Sequence, residues 1–320
     1  MTYQSLGLAK DLIATHSHPI IPARWLTLAI SASGAVVLGL LVQNRLEIDL
    51  RDVAFWALTG VMALFGALCW RHRHGITLGQ RRARDFAESG LLFTAMTILG
   101  GIASYAAACD THGFVDATLA RGDALLHFNW LDWYETVVRH PVLQWLGKGA
   151  YGSIYVTPWV LIGAMAWQGD QARARQFLAT FWLAAVMTLA LFPLFPAKGA
   201  LDYLWQGPIP YMPTNGLYQG EIIPALRAHS FGEIQLGALK GLVCAPSFHT
   251  VCATLFIATA LPMPRLRWVL LPMNAAMLLA TPVEGTHYLT DMLIGLAVAL
   301  VALMAVRAGA RRLRQRVIWA

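Results

Sequence analysis

Long apolar stretches recur along the whole chain, and each is close to the length that crosses a lipid bilayer. They cover residues 25–42, 53–70, 86–109, 150–167, 177–195, 247–261, 268–283 and 288–306. A transmembrane helix needs about 20 predominantly apolar residues, and 57% of the 320 residues are hydrophobic while only 13% are charged. The sequence therefore predicts an all-α integral membrane protein with about eight transmembrane helices.

The distribution of basic residues predicts how these helices are oriented. Lys and Arg gather on the cytoplasmic side of a membrane, and placing the N-terminus inside puts most of the 24 Lys and Arg residues there. Both termini are then cytoplasmic, whereas the long connections over residues 110–149 and 196–246 lie outside. We therefore expect a multi-pass protein of the inner or plasma membrane. Its net charge of +7 follows from this topology and does not indicate nucleic-acid binding.

The two outer connections differ in character. Residues 110–149 combine helical apolar spacing with charges and with Trp130, Trp133 and Trp145, which predicts one or two interfacial amphipathic helices on the outer face. Such a segment either anchors the protein at headgroup depth or forms a lid beside a site. Residues 195–216 are rich in Pro, Gly and aromatic residues, so we expect an irregular loop there.

The segment of residues 284–291 reads EGTHYLTD and carries a histidine and a carboxylate at helical spacing. His287 and Asp291 are four residues apart, so a helix places both on one face. There the carboxylate can hold the imidazole in one tautomer, which makes it a usable nucleophile. A carboxylate in an apolar span is costly and marks function. The alternative is a water-exposed acid in the first helical turn that stabilises the helix dipole.

A second histidine stands at the start of an earlier apolar stretch. Residues 244–250 read CAPSFHT, and Ser247 and His249 lie at the predicted helix start. Free N–H groups and the positive end of the helix dipole favour an anion there, so a phosphate would fit. Ser247 alone is equally consistent with an N-cap, and His249 with a cap or an interfacial residue. Together, the two segments predict phosphate chemistry at the outer membrane surface.

These motifs resemble those of the type 2 phosphatidic acid phosphatase (PAP2) superfamily. PSFH followed by HYLTD is similar to its second and third motifs, PSxH and HxxxD, and FPAKGA at residues 195–200 occupies the place of the first, basic motif. The branch that contains inositol-phosphorylceramide synthases is the most similar, because it shares an FPxxGP-like turn, an aromatic after the last His and a DxxLxxxD-like stretch, found here within residues 116–133. The resemblance covers roughly residues 110–295.

The resemblance implies a membrane-embedded lipid phosphate esterase that uses no metal or cofactor and acts on the outer (periplasmic) face. His287 would attack phosphorus and form a phosphohistidine, Asp291 would orient it, and His249 would protonate the leaving oxygen. Ser247 and neighbouring N–H groups would hold phosphate oxygens, and Lys198 would supply positive charge. Lys198 is equally consistent with a side chain that snorkels to the interface. The partners implied are the membrane and a lipid phosphate or phospholipid substrate, not nucleic acid.

Two phosphate clamps of the superfamily are missing from the sequence. The first motif KxxxxxxRP is not present around Lys198, and Thr281 stands where an Arg precedes the last His by six residues. Lys240, Arg227 and Arg139 are candidates to replace that charge. A weakly charged site favours a phosphoalcohol or headgroup transferase, resembling inositol-phosphorylceramide synthase, as the alternative activity. A transporter is the alternative outside the enzymes, although the charges cluster at span ends and not at mid-membrane depth.

The chain divides into three predicted parts. Residues 1–85 form a two-span hairpin with a cytoplasmic basic loop, residues 86–306 form the PAP2-like catalytic membrane domain with its core bundle, and residues 307–320 form a basic cytoplasmic tail. Cys109 and Cys244 fall near the outer face, where either a disulfide or two free thiols is consistent with the sequence. The first apolar stretch begins late and lacks a small-residue cleavage site, so we expect it to be retained.

Overall fold

The computed structural model describes residues 21–318, and within them the chain forms thirteen α-helices. Residues 1–20 of the predicted hairpin and residues 319–320 of the predicted tail lie outside the described residues. The helices are α1 (Ala23–Asn44), α2 (Val53–Arg71), α3 (Leu78–Cys109), α4 (Asp116–Leu125), α5 (Trp130–Arg139), α6 (Pro141–Gly152), α7 (Thr157–Gln168), α8 (Gln171–Leu191), α9 (Ala200–Leu204), α10 (Gln219–Arg227), α11 (Phe248–Ala260), α12 (Arg267–Glu284) and α13 (Leu289–Ile318).

Five helices of the described chain are long and apolar enough to cross a membrane: α1, α2, α3, α8 with its 3-10 extension, and α13. Three further predicted spans correspond to shorter or more polar helices. α7 has 12 residues and α11 has 13, while α12 has 18 residues but contains Pro272 and Pro282. The all-helical architecture is confirmed, and five of the eight predicted spans meet the length and hydropathy expected of a membrane helix.

The predicted span over residues 150–167 is broken in the structure. Helix α6 ends at Gly152, a 3-10 turn occupies Ser153–Tyr155, and α7 begins at Thr157. Pro158 explains the position of this break, because proline lacks an N–H and fits the first turn of a helix but not its interior. The continuous apolar stretch therefore forms two helix pieces where one was predicted.

The core of the bundle is formed by apolar faces of α3, α8, α11 and α13. Aromatic side chains fill its centre: the ring of Phe181 lies 5.0 Å from that of Phe93, and Phe177 lies 6.2 Å from Phe256. Such offset aromatic pairs contribute about 0.5–1.5 kcal/mol each beyond the area they bury. By contrast, α2 has no buried residue, so it lies at the periphery of the bundle.

The two ends of the helical bundle carry different sets of residues. One end, here called the site end, collects the last turns of α3, α8 and α12 and the first turns of α11 and α13. The other, the arginine-rich end, carries Arg84, Arg173, Arg175 and Arg307. There Arg175 forms an ion pair at 2.8 Å with Glu88, which joins the first halves of α8 and α3.

The connection over residues 110–149, which was predicted to lie outside, forms three helices, α4 to α6, instead of the one or two that were predicted. It packs across the site end: Trp130 and Tyr134 are buried and stack at 5.2 Å, and Trp130 Nε1 donates a hydrogen bond of 2.9 Å to the carbonyl of Pro282. Trp145 is 76% exposed. The predicted irregular loop of residues 195–216, at the start of the second connection, is irregular apart from the five-residue helix α9.

Candidate active site

His287 and Asp291 form a buried hydrogen-bonded pair at the site end. His287 Nδ1 lies 2.9 Å from Asp291 Oδ1, and Asp291 Oδ2 accepts a bond of 2.8 Å from the backbone N–H of Tyr288. Asp291 is fully buried, so the alternative of a water-exposed first-turn acid is wrong. A carboxylate can only accept, so the shared proton belongs to Nδ1 and the Nε2 lone pair of His287 is free.

His249 lies in the first turn of α11, close to His287. The centroid of its ring is 6.3 Å from that of His287, and its Nε2 atom is buried without a hydrogen-bond partner. An unpaired buried nitrogen is costly unless a ligand completes it. The structure therefore brings together two imidazoles close enough for both to reach one bound group.

Tyr151, at the end of α6, sets the plane of the His249 ring. The two rings stack at 3.9 Å with an angle of 13°, and the tyrosine hydroxyl lies 3.1 Å from Nδ1 of His249. Because the rings are nearly parallel, the hydroxyl lies over the imidazole face and not along its in-plane lone pair, so stacking is the dominant contact. The sequence analysis did not identify Tyr151, which precedes His249 by 98 residues.

Ser247 is the N-cap of α11 and is fully buried. Its hydroxyl oxygen lies 3.4 Å from the backbone N of Thr250 and 3.2 Å from the Thr250 hydroxyl. The capping interpretation is therefore confirmed, and binding of phosphate oxygens stays a prediction for this residue. The backbone N–H of Ser247 bonds the carbonyl of Asp291 at 3.2 Å, which ties the two motifs together.

The loop that carries Lys198 is held by a buried aspartate of α4. Asp116 accepts hydrogen bonds from the backbone N–H groups of Lys198 and Gly199, at 3.0 and 3.1 Å, and from the Tyr288 hydroxyl at 3.0 Å. Gly199 has φ +108°, and a Cβ there would collide with Thr286 beside His287. Asp116 thus fixes the basic loop and the His287 segment relative to each other.

Lys198 and Arg227 share one aromatic ring. Lys198 Nζ lies 5.4 Å, and the Arg227 guanidinium 4.6 Å, from the centroid of Phe114. Arg227 also donates to the Thr111 hydroxyl at 2.8 Å and to the Gly113 carbonyl at 2.6 Å. Lys198 and Arg227 therefore lie at the same ring. The sequence alone did not indicate which of the candidate cations lies near Lys198.

The other candidate cations are placed elsewhere. Arg139 is exposed and pairs with Glu135 on its own helix. Lys240 Nζ lies 5.6 Å from the ring centroid of Tyr218. At the position of the missing arginine, Thr281 is fully buried and donates to the carbonyl of Met277 at 2.7 Å, so it supplies no charge.

A second buried aspartate of α4 caps α13, the helix that begins just after His287 and carries Asp291. Asp123 accepts bonds from the backbone N–H groups of Leu289 and Thr290, at 3.1 and 2.8 Å, and from the Thr290 hydroxyl at 2.8 Å. These N–H groups have no partner within α13, and a carboxylate at a helix N-terminus also stabilises the dipole. Asp116 and Asp123 are the two acids of the DxxLxxxD-like stretch. The sequence did not predict which backbone groups they would bind.

A buried carboxylate at the end of α12 fastens the irregular loop of residues 195–216 beside the site. Glu284 accepts from the Tyr211 hydroxyl at 2.5 Å and from the backbone N–H and hydroxyl of Thr214 at 3.0 and 2.6 Å. Burial, followed by the neighbouring Glu284, raises the pKa of Tyr211, so it stays a protonated donor. Glu284 directly follows the apolar stretch of residues 268–283, and a carboxylate at that position was the sequence signal that could have indicated this anchor.

Cys244, His287 and Asp291 present ligand atoms within 4.8 Å of one another and are the metal-ligand candidates of the described chain. A cysteine binds metal as a thiolate, but burial and the nearby Asp291 raise the pKa of Cys244 well above its usual range. The thiol instead lies 3.8 Å from Asp291 Oδ2, as a weak donor. Cys244 and Cys109 are both free thiols in the structure.

The fold and the site define a helical membrane protein in which a buried His–Asp pair faces a second histidine. A family model described as PAP2 superfamily matches residues 117–305, more than half of the chain. The chain therefore belongs to the PAP2 superfamily, and this membership indicates a phosphatase-like function. No curated protein and no solved structure gives a significant match. Similarity to the inositol-phosphorylceramide synthase branch stays a prediction.

Proposed function

We propose that the protein is a membrane-embedded lipid phosphate esterase that works through a phosphohistidine on His287. One observation carries the proposal: the buried His287–Asp291 pair, at 2.9 Å, lies 6.3 Å in ring centroids from His249, whose Nε2 has no partner. A nucleophile oriented by a carboxylate and a separate acid or base are the two groups that covalent ester cleavage needs.

In the first step, Nε2 of His287 attacks phosphorus and the bond from phosphorus to the leaving oxygen breaks. His249 donates its Nε2 proton to that oxygen, which departs as the lipid alcohol. Asp291 stabilises the positive imidazolium that forms on His287, because its carboxylate already accepts the Nδ1 proton. His249 acts as an imidazolium in this step, so the products are a phosphohistidine and a neutral His249 imidazole.

In the second step, His249 takes a proton from water and the resulting oxygen attacks phosphorus. The phosphorus–nitrogen bond breaks, which returns His287 to its starting state and releases phosphate. His249 is reprotonated in the same step and is ready for a new leaving group. The chemistry needs two imidazoles and no added redox partner.

The negative charge of the phosphoryl group would be met by the basic loop and by α10. Lys198 and Arg227 flank Phe114, and Asp116 holds the N–H groups of Lys198 and Gly199 in place. Donors that are fixed before the reaction stabilise developing charge without reorganisation. We place this site on the outer face, because the opposite end of the bundle carries the arginines that favour the cytoplasm.

Headgroup transfer is the second candidate function, and Thr281 is the observation that favours it. Its buried hydroxyl is bonded within α12, so the site carries less positive charge than a phosphate monoester dianion would demand. A phosphodiester has one negative charge and suits such a site better. The same phosphohistidine would then be attacked by an alcohol in place of water.

The deciding experiment follows phosphate release and lipid products by mass spectrometry. Purified protein is reconstituted with mixed anionic lipids in EDTA, and His287→Ala is compared with His112→Ala, an exposed histidine at the site end. Phosphate release that His287→Ala abolishes and His112→Ala retains supports the esterase. A headgroup-exchanged lipid with no free phosphate, lost in the same variant, supports the transferase.

Three results would contradict the mechanism. Turnover that persists in His287→Ala would exclude His287 as the nucleophile. The family membership would then indicate the fold but not the mechanism. Turnover that requires a divalent ion would direct attention to Cys244, His287 and Asp291 as metal ligands. Substrate accumulation across a membrane without any chemical change would instead support the transporter.

A further inference from the structure

A cavity of about 140 Å³ lies between α8, α11 and α13 at the arginine-rich end, away from the candidate active site. Five polar side chains and an apolar wall face it. Its lining includes Arg173, Gln176 and Arg307 together with Phe177, Leu255 and Leu303.

The two guanidinium groups give this cavity an unbalanced positive charge. Arg173 forms an ion pair of 3.0 Å with Asp170, which leaves several of its N–H donors unused. Arg307 is exposed and forms no ion pair with any residue between 21 and 318. Glu88, another acid at this end, is already bonded to Arg175. An anion entering the cavity would therefore meet an uncompensated charge.

The size and the surroundings of the cavity limit what the anion can be. A cavity of roughly 150 Å³ accepts a benzene-sized group, so this one has room for a phosphate group but not for a whole phospholipid. The apolar surface continues outside it along α13, where Leu300 is 46% and Met304 is 62% exposed. An inorganic phosphate would leave this apolar surface uncovered, whereas a lipid would cover it with its chains.

We propose that this cavity binds the phosphate headgroup of an anionic phospholipid from the adjoining leaflet, with the acyl chains lying along α13. Basic pockets between transmembrane helices are known to take anionic headgroups. The bound lipid would fill the space between α8, α11 and α13, and so would connect the helix of His249 with that of Asp291. This site is separate from the candidate active site and does not depend on the proposed reaction.

The test is native mass spectrometry of delipidated full-length protein titrated with phosphatidylglycerol, phosphatidylcholine or inorganic phosphate. We expect one phosphatidylglycerol to bind well before phosphatidylcholine. The variant Arg173→Gln/Arg307→Gln should weaken this binding at least tenfold. The matched control Arg265→Gln/Arg311→Gln removes the same charge from exposed positions at the same end, which do not line the cavity, and should bind as the wild type does.

Each other result overturns the proposal. Equal weakening in both double variants would show general attraction to a basic surface, and equal binding of the two lipids would show that the headgroup is not recognised. Inorganic phosphate that displaces phosphatidylglycerol at similar concentration would assign the cavity to a free anion. If the first double variant fails to fold, Arg307→Lys and Arg307→Gln provide the test: Lys should retain most of the binding and Gln should lose it.

Discussion

At the scale of single residues, Asp291 has little conformational freedom. It is fully buried, and its two oxygens accept from His287 Nδ1 at 2.9 Å and from the Tyr288 N–H at 2.8 Å. Burying a carboxylate is costly unless it is bonded in this way. The bond to Nδ1 fixes one side of the imidazole and leaves Nε2 free, as a nucleophile requires.

Replacing Asp291 by Asn should lower kcat by about 10²- to 10⁴-fold while changing KM little. An amide can donate to Nδ1, and the imidazole proton then moves to Nε2, where it blocks the attacking lone pair. The measurement is single-turnover formation of the phosphohistidine. Asp132→Asn, an exposed acid of α5, is the matched control. A phosphohistidine that forms at the wild-type rate in Asp291→Asn would contradict the orienting role.

Two variants of Tyr151 can distinguish whether its ring or its hydroxyl supports His249. Tyr151→Phe keeps the ring that lies 3.9 Å from His249 and should retain kcat/KM, whereas Tyr151→Leu removes it. Loss of an aromatic pair worth about 0.5–1.5 kcal/mol should lower kcat/KM by about two- to tenfold. Steady-state kinetics of both variants check this. Equal losses in the two would instead assign the effect to the hydroxyl.

At the scale of helices, the approach of α13 to α11 holds the two motifs in register. The backbone of Gly295 faces that of Ser247, and a Cβ at Gly295 would lie 2.5 Å from the Ser247 carbonyl oxygen. Ser247 N–H in turn bonds the carbonyl of Asp291. Small residues at transmembrane helix contacts allow this closeness, so the distance between His249 and His287 depends on a glycine one turn beyond Asp291.

Gly295→Ala should therefore separate the two helices and lower both the melting temperature and the activity. Overpacking costs about 1–3 kcal/mol, and Ser247 would move away from Asp291. Gly309→Ala on the same helix is the control, because a Cβ there meets nothing within 4 Å. Alanine is better than glycine in a helix by about 1 kcal/mol, so this variant should be as stable as the wild type or more so. Thermal unfolding in detergent measures both, and equal shifts would contradict the argument.

Local spacing explains which parts of the site could be predicted. The His287–Asp291 pair and the Ser247 cap each join residues only three or four positions apart, so the sequence pattern is sufficient for both, although His287 lies just before α13 and not within it. Asp116 and Asp123 act on residues that follow them by more than 80 and 160 positions, through backbone groups that carry no sequence signal. The break near Pro158 was missed because apolar composition alone does not reveal where a stretch is interrupted.

At the scale of the whole molecule, the α1–α2 hairpin lies outside the matched family range but contacts the loops at the site end. Its connecting turn pairs with residue 234, where the Asp49 N–H bonds the carbonyl of Ile234 at 3.0 Å, and Asp52 accepts from Gly237 N–H at 2.7 Å. These loops lead directly into the PSFH segment. The hairpin therefore supports the site end from the side, although α2 itself stays peripheral.

The distribution of charge between the two ends makes the last prediction, the orientation of the chain in the membrane. Gly232→Cys lies in an exposed loop at the site end, and His74→Cys lies in the exposed turn between α2 and α3 at the opposite end. A membrane-impermeant maleimide should label Gly232→Cys in intact cells and His74→Cys only after permeabilisation, because the arginines near His74 favour the cytoplasm. The parent protein with its own cysteines sets the background. The reverse labelling would move the candidate site to the cytoplasmic face, where its lipid substrate would have to come from the inner leaflet.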